Sequence, residues 1–324
     1  MIMNNDAVLD EVRRVLLEND DFVITAHVNP DSDAVGSCLA MGLSLKKLGT
    51  RVNVVLDKFH DKNSIIPGQE LIWRDEAAAP AVSVFMALDC ATPERVFDPF
   101  GLMKLAPVTV CIDHHISHDP FAGHVYLDSC ASSTCELIYR LVSPMIELDS
   151  DIGSALYAGL LTDTGGFRHS CAGPETMRIA SELIKLNIPF TDIYNELLER
   201  HSLAETHVMR AALKNLDLPR NGRAAFSFIS SEEMADIGAE ATDTDGISEY
   251  LLNIRGVEVS AFLYERFKGE VKASMRSLTA NVSEMAKAFG GGGHKHAAGC
   301  TIRAPLTEAY AEMSRAVLSA IETA

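Results

Sequence analysis

A chain of 324 residues, 47% hydrophobic and 23% charged, has the length for two hydrophobic cores and the composition of an ordinary globular protein. Its formal charge of −17 argues against a long electrostatic grip on duplex DNA, which needs a basic surface, but leaves small anionic substrates open where metal ions neutralise the site. Apolar stretches fall short of the ~20 residues of a membrane span, and Met1 to Asp10 lacks the basic-then-apolar order of a secretory leader.

The first half alternates short apolar runs with helical patterns, the signature of a mostly parallel, doubly wound α/β sheet with crossover helices. Residues 22–26 read as a strand, and 34–48 as a helix stopped at Gly49, which suits a left-handed cap. Further strands rich in Val, Leu and Ile are expected at 51–56, 82–88 and 107–112. Ser133-x-x-Glu136 has capping-box spacing and opens a helix through Leu141. A largely apolar helix at 151–161 runs into Thr162-Asp163-Thr164-Gly165-Gly166, and Pro174 starts another that ends near Asn187. The stretch 191–216 reads as a helical connector, with a turn signal around His201-Ser202.

Beyond Arg220 the texture changes. Strands with polar alternation are expected at 223–229, 257–266 and 271–277, the last two joined as a hairpin through Phe267-Lys268-Gly269-Glu270. Helices at 231–237, 246–254, 282–289 and 306–321 complete a smaller α/β domain. The organisation expected is a catalytic metal-binding domain over 1–190, a connector over 191–216 and a substrate-binding domain over 217–324.

The seven cysteines are scattered and form no C-x-x-C pair, which predicts reduced thiols in a cytoplasmic protein.

Chemistry concentrates where strands end. His27-Val28-Asn29-Pro30-Asp31-Ser32-Asp33 lies between the first strand and the first helix, and ligands of open α/β sheets collect at the carboxyl ends of strands. Helix capping alone could explain Asp31 or Asp33. It explains less well that Asp89 and Asp113 also follow apolar runs. Asp57 ends a strand too, but leads into a polar loop without a histidine and reads as a surface residue. At Asp113-His114-His115 two adjacent imidazoles point in different directions, so one can bind a metal while the other reaches a substrate oxygen. Asp163, before a glycine pair, adds a carboxylate. His118 reads as a loop residue.

The candidate ligands are therefore His27, Asp31, Asp33, Asp89, His114 and Asp163, with no thiolate among them. Such a set suits two Mn²⁺ or Mg²⁺ ions, with Co²⁺ as a further option, better than structural zinc. Gly290-Gly291-Gly292-Gly293-His294-Lys295-His296-Ala297-Ala298-Gly299 follows a helix and reads as a loop whose amides approach an anion, without the ending of a nucleotide-triphosphate loop. Ser274 and Arg276 can add a hydroxyl and a guanidinium to the same anion.

As a set, these residues resemble the DHH phosphoesterase family. His27-x-Asn29-Pro30-Asp31-x-Asp33 matches its first motif, Asp89 the second, Asp113-His114-His115 the third and Asp163 the fourth. Gly291-Gly292-Gly293-His294-x-x-Ala297-Ala298-Gly299 is similar to the signature of the DHH-associated domain of the first type. Ser32 departs from the pattern, standing where relatives often have glycine.

The resemblance implies a two-domain enzyme with its active site between the domains and Mn²⁺ as the usual metal. His27, Asp31 and Asp89 would hold one ion, and Asp33, Asp89, His114 and Asp163 the other, with Asp89 as the bridge. His115 would contact the scissile phosphate or protonate the leaving oxygen, and Asp113 would orient it. Arg276, Ser274, Gly291, Gly292, Gly293 and His294 would hold the terminal nucleotide.

Within the RecJ-like superfamily the chain resembles the stand-alone nanoRNase type, which degrades very short RNA oligonucleotides and removes the 3′-phosphate of adenosine 3′,5′-bisphosphate. A soluble cyclic di-AMP or pApA phosphodiesterase would share every residue named. A catalytically silent nucleotide-binding module is the reading from another class. The sheet edge and connector helices could support a homodimer.

Overall fold

Runs of β-branched and aromatic residues become strands where alternate side chains can be buried on two faces. A computed structural model describes residues 5–322. Residues 1–4, part of the polar stretch read as lacking a leader, lie outside the described residues, as do 323–324. The chain divides into two compact units, Met1–Arg200 and His201–Ala324, at a point inside the expected connector.

In the first unit, strands β1 (Phe22–Thr25), β2 (Val52–Val55), β3 (Val84–Leu88), β4 (Val108–Asp113) and β5 (His124–Leu127) form a sheet in the order β2-β1-β3-β4-β5. All of its pairings are parallel. Its helices are α1 (Asn5–Glu18), α2 (Ser32–Lys47), α3 (Thr134–Val142), α4 (Ser150–Asp163), α5 (Pro174–Ile184) and α6 (Phe190–Tyr194). Ile24, Met86 and Ile112 face a core shared with residues of α1 to α4, while Val23, Phe85 and Cys111 face a second core covered by Trp73, Phe97, Phe100 and Phe121. Because β2 and β3 flank β1 on opposite sides, a crevice opens beyond the carboxyl ends of β1 and β3.

Helices α2 and α4 cross where glycine permits. A β-carbon on Gly36 would lie 2.6 Å from the Ala155 carbonyl oxygen, and one on Gly159 would lie 2.4 Å from Asp33 Oδ1. This approach sets the start of α2 against α4.

The structure adds elements the sequence reading left out: α1, whose Leu9, Val12 and Leu16 enter the core, and β5. The box expected at Ser133 is only half formed. Ser133 Oγ accepts the Glu136 N–H at 3.1 Å, but the Glu136 carboxylate accepts instead from Ser132 Oγ at 2.6 Å and Thr176 Oγ1 at 2.9 Å. The buried carboxylate finds more donors there than the cap offers.

The second unit contains α7 (Leu203–Lys214), β6 (Ala224–Ile229), α8 (Ser231–Ile237), α9 (Ile247–Leu252), β7 (Val259–Phe267), β8 (Glu270–Ser277), α10 (Val282–Ala288), β9 (Gly292–His294), β10 (Ala297–Ile302) and α11 (Leu306–Glu322). Its sheet order is β6-β7-β8-β10-β9, with β6 parallel to β7 and the other pairings antiparallel. The expected hairpin between β7 and β8 is present. The glycine run expected as a loop is instead largely an edge strand, β9, which turns through Lys295-His296 into β10. Among the described residues no helix is long and apolar enough to cross a membrane.

Candidate metal centre

The crevice gathers side chains from four places in the chain. His27 follows β1, and its Nδ1 lies 2.9 Å from the Val28 carbonyl. Its Nε2 faces Asp89 Oδ2 at 3.7 Å and Asp31 Oδ2 at 4.0 Å. Asp31 does cap α2, since its Oδ1 accepts the N–H groups of Asp33 and Ala34 at 3.0 Å. Capping therefore uses one oxygen and leaves the other for the pocket.

Asp33 is fully buried. Its two oxygens accept the N–H groups of Thr134 at 2.7 Å and Cys135 at 3.0 Å, the first turn of α3, where the helix end carries partial positive charge. Asp89, just beyond β3, adopts φ +58°, a left-handed conformation that Asp tolerates better than most residues. Its Oδ1 accepts the Thr134 hydroxyl at 2.9 Å and lies 3.7 Å from His114 Nε2. His114 Nε2 also lies 3.1 Å from Asp163 Oδ2 at the end of α4, and its Nδ1 is 3.4 Å from the Ala131 carbonyl.

These contacts leave the imidazoles of His27 and His114 with Nε2 turned toward the carboxylates and Nδ1 turned to a backbone carbonyl, an arrangement that suits a histidine ligand. Candidate donor atoms of His27, Asp31 and Asp89 lie within 4.8 Å of one another, and so do those of Asp33, His114 and Asp163. Burial, and then the charge of neighbouring carboxylates, pushes both Asp33 and Asp89 above the usual carboxylate range. Burial opposes the charge on His114, but the Asp163 hydrogen bond and the carboxylates of Asp33 and Asp89 raise it to about 10. A cluster of negative charge at this density, made of oxygen and imidazole donors, fits divalent cations of the Mn²⁺ and Mg²⁺ type.

Asp113, fully buried at the end of β4, stands behind the cluster. Its Oδ1 lies 2.7 Å from His115 Nδ1 and its Oδ2 lies 2.7 Å from His118 Nδ1. Burial alone would push its carboxyl up, yet the bonds to His115 and His118 hold it below the usual range. The Asp113 hydrogen bond in turn raises His115. His118 does lie in a loop, but its side chain is buried and its Nε2 has no hydrogen-bond partner among the described residues.

The sequence reading missed several supports. Thr134 joins Asp33 to Asp89, and Asp57, at the surface as read, accepts the Asn29 N–H at 3.0 Å and so steadies the turn after β1. Ser32 Oγ donates to Asn63 Oδ1 at 2.6 Å, giving the residue that departs from the family pattern a place of its own. None of these long-range pairs has a local sequence signal, although a threonine at a helix start is a recognisable hydrogen-bonding residue.

In the second unit, alternation along β8 buries Val271, Ala273, Met275 and Ser277 and leaves Ser274 and Arg276 half-buried on the other face. Arg276 pairs with Ala297, which pairs with His294, while Ser274 pairs with Gly299, which pairs with Gly292. Opposed residues of antiparallel strands share a face, so Ser274, Arg276, Gly292 and His294 line one small-residue platform. Gly293 has φ +139°, and a β-carbon there would meet the Ala297 carbonyl oxygen at 2.5 Å. Gly291 precedes the strand, and a β-carbon there would lie 2.2 Å from the Gly299 carbonyl oxygen.

Comparison with known proteins shows the family of the chain. Residues 21–160 match the model of the DHH family, N-terminal domain, and residues 221–323 that of the DHHA1 domain. The bifunctional oligoribonuclease and PAP phosphatase NrnA of Thermus thermophilus is 30% identical over 91% of this chain and 88% of its own. The protein of the same name from Bacillus subtilis is 28% identical over 90% of this chain and 92% of its own. Among solved structures, an exopolyphosphatase-related protein from Bacteroides fragilis superposes with a TM-score of 0.88 at 27% identity, covering 98% of each chain. The carboxylate and histidine centre at the strand ends thus sits in a chain that belongs to the DHH family of phosphoesterases.

Proposed function

We propose that the protein hydrolyses short oligoribonucleotides to mononucleotides and removes the 3′-phosphate of adenosine 3′,5′-bisphosphate, with two divalent ions, Mn²⁺ foremost and Mg²⁺ or Co²⁺ as substitutes. The observation that carries the reading is Asp89, whose two oxygens face His27 and His114 separately. His27, Asp31 and Asp89 form one ligand set, and Asp33, His114 and Asp163 with Asp89 form the other. Ions held there supply Lewis-acid chemistry at a phosphoryl oxygen. Both relatives named NrnA support the substrate class, and its setting is the cytoplasm, where seven free thiols stay reduced.

His115 offers Nε2 to the substrate because Nδ1 is engaged by Asp113. Its raised pKa keeps a proton available for the leaving oxygen. On the second unit, Arg276, Ser274 and His294 hold the terminal phosphate or sugar, and Gly291, Gly292 and Gly293 keep the platform low enough for it.

Incubation with Mn²⁺ and di- to pentaribonucleotides, adenosine 3′,5′-bisphosphate or cyclic di-AMP tests the reading. Mononucleotide release from the linear substrates is expected; turnover of the cyclic compound alone would reject it.

The orientation of His115 yields a separate prediction. His118→Phe keeps a ring against Phe121 but loses the donor to Asp113, and kcat is expected to fall roughly 10-fold, with KM little changed. His118→Asn retains an N–H donor and should restore most of that loss. Equal rates in the two variants would show that His118 does not act through Asp113.

A further inference from the structure

The turn Pro93–Arg95, beyond β3, is stitched to the segment that carries His27. Val28 donates its N–H to the Arg95 carbonyl at 2.8 Å, and Phe97 donates to the Ala26 carbonyl at 2.9 Å. His27 and Val96 oppose each other as an antiparallel bridge. The backbone thus fixes where the Arg95 side chain begins. Its guanidinium lies 3.2 Å from His27 Nδ1, while the other ring nitrogen faces Asp31 and Asp89. Arg95 is exposed and has no carboxylate partner among the described residues, in a chain of net charge −17.

The two neighbours of His27 Nδ1 make incompatible demands. The Val28 carbonyl, at 2.9 Å, only accepts and needs an N–H; the guanidinium only donates and needs a lone pair. With Nε2 serving as a metal ligand, the single proton of the neutral ring sits on Nδ1 and belongs to Val28. Arg95 then loses its acceptor on the ring while remaining beside the pocket.

We propose that Arg95 is a substrate-binding residue whose guanidinium, released from His27 when that histidine ligates metal, grips a non-bridging oxygen of the phosphate at the His27, Asp31 and Asp89 pocket. A planar guanidinium suits phosphate because two parallel N–H groups can address it at once. The ligand class is a phosphate mono- or diester. The inference rests on the metal-centre reading above and not on the oligoribonucleotide as substrate.

Arg95→Ala and Arg95→Lys test it, with melting temperature as the check on folding. Calorimetry measures Mn²⁺ affinity first, and then the affinity of the Mn²⁺-loaded protein for inorganic phosphate; kinetics on bis(p-nitrophenyl) phosphate follow. The alanine variant should bind Mn²⁺ within about threefold of the parent but phosphate roughly 10- to 100-fold more weakly, with KM rising in step. The lysine variant should recover part of the phosphate affinity. Unchanged phosphate affinity overturns the proposal. So does Mn²⁺ affinity that falls together with phosphate affinity, which would make Arg95 a support for His27. A parent protein that binds no Mn²⁺ defeats the metal-centre reading and this inference with it. Normal phosphate binding without oligoribonucleotide turnover defeats only the substrate assignment.

Discussion

Asp89→Asn is expected to lower kcat by about 10³-fold or more while leaving the chain folded. One carboxylate oxygen faces His27 at 3.7 Å and the other faces His114 at 3.7 Å, so an amide offers an oxygen to one ligand set and an NH₂ group to the other. Whichever way it turns, one set loses its shared donor. Asparagine also accepts the left-handed backbone of φ +58° with less strain than alanine, which separates the loss of a ligand from damage to the turn. Steady-state kinetics on bis(p-nitrophenyl) phosphate and the number of Mn²⁺ ions bound per chain would be read together. A rate within tenfold of the parent with undiminished metal binding would remove Asp89 from its bridging role.

Gly159→Ala is expected to destabilise the first unit by about 2 kcal/mol and to weaken Mn²⁺ binding. The added β-carbon would lie 2.4 Å from both Asp33 Oδ1 and Cys135 Sγ, and 2.9 Å from Asp33 Cα. Asp33 cannot simply swing aside, because both of its oxygens are held by the amides of Thr134 and Cys135. Either α4 retreats from α2 or the carboxylate gives up those bonds. Overpacking costs about 1–3 kcal/mol, near the upper end where the neighbours are this fixed, and alanine's helix preference returns about 1 kcal/mol. Gly173→Ala is the control, since a β-carbon there meets nothing within 4 Å. Thermal melts and Mn²⁺ titration would decide the matter, and parent-like values for Gly159→Ala would show that the α2–α4 approach is not tight.

The strands that carry the ligands were legible because β3 and β4 are apolar runs closed by an acid and β1 is an apolar run that leads into His27. The proposed ligands were picked from residues that follow apolar elements, and the structure sets them in two groups, His27 with Asp31 and Asp89 and Asp33 with His114 and Asp163, which a third, Asp89 with His114 and His115, joins. What escaped detection depended on distant partners. Thr134 meets Asp89 only because α3 begins beside the end of β3. His118 is the loop residue it was read as, but its tie to the site shows only once Asp113 stands between it and His115.

The glycine run misled in another way. Glycine is a weak strand former, so β9 can be recognised only from its register with β10. Conversely, α1 had the spacing Leu9, Val12 and Leu16 for a buried stripe, obscured by the acidic residues around it. Capping and metal binding at Asp31 looked like rival explanations, whereas its two oxygens point to two partners.

Asp31 and Asp33 also tie occupancy of the centre to chain topology. The donors run from residue 27 to residue 163, and Asp31 spends one oxygen, Asp33 both, on the backbone of a helix start. An unfolded chain has no such constellation, so an ion held there acts as a reversible cross-link closing most of the first unit, and its binding energy becomes folding energy. The centre thus exists only where strands far apart in sequence have met.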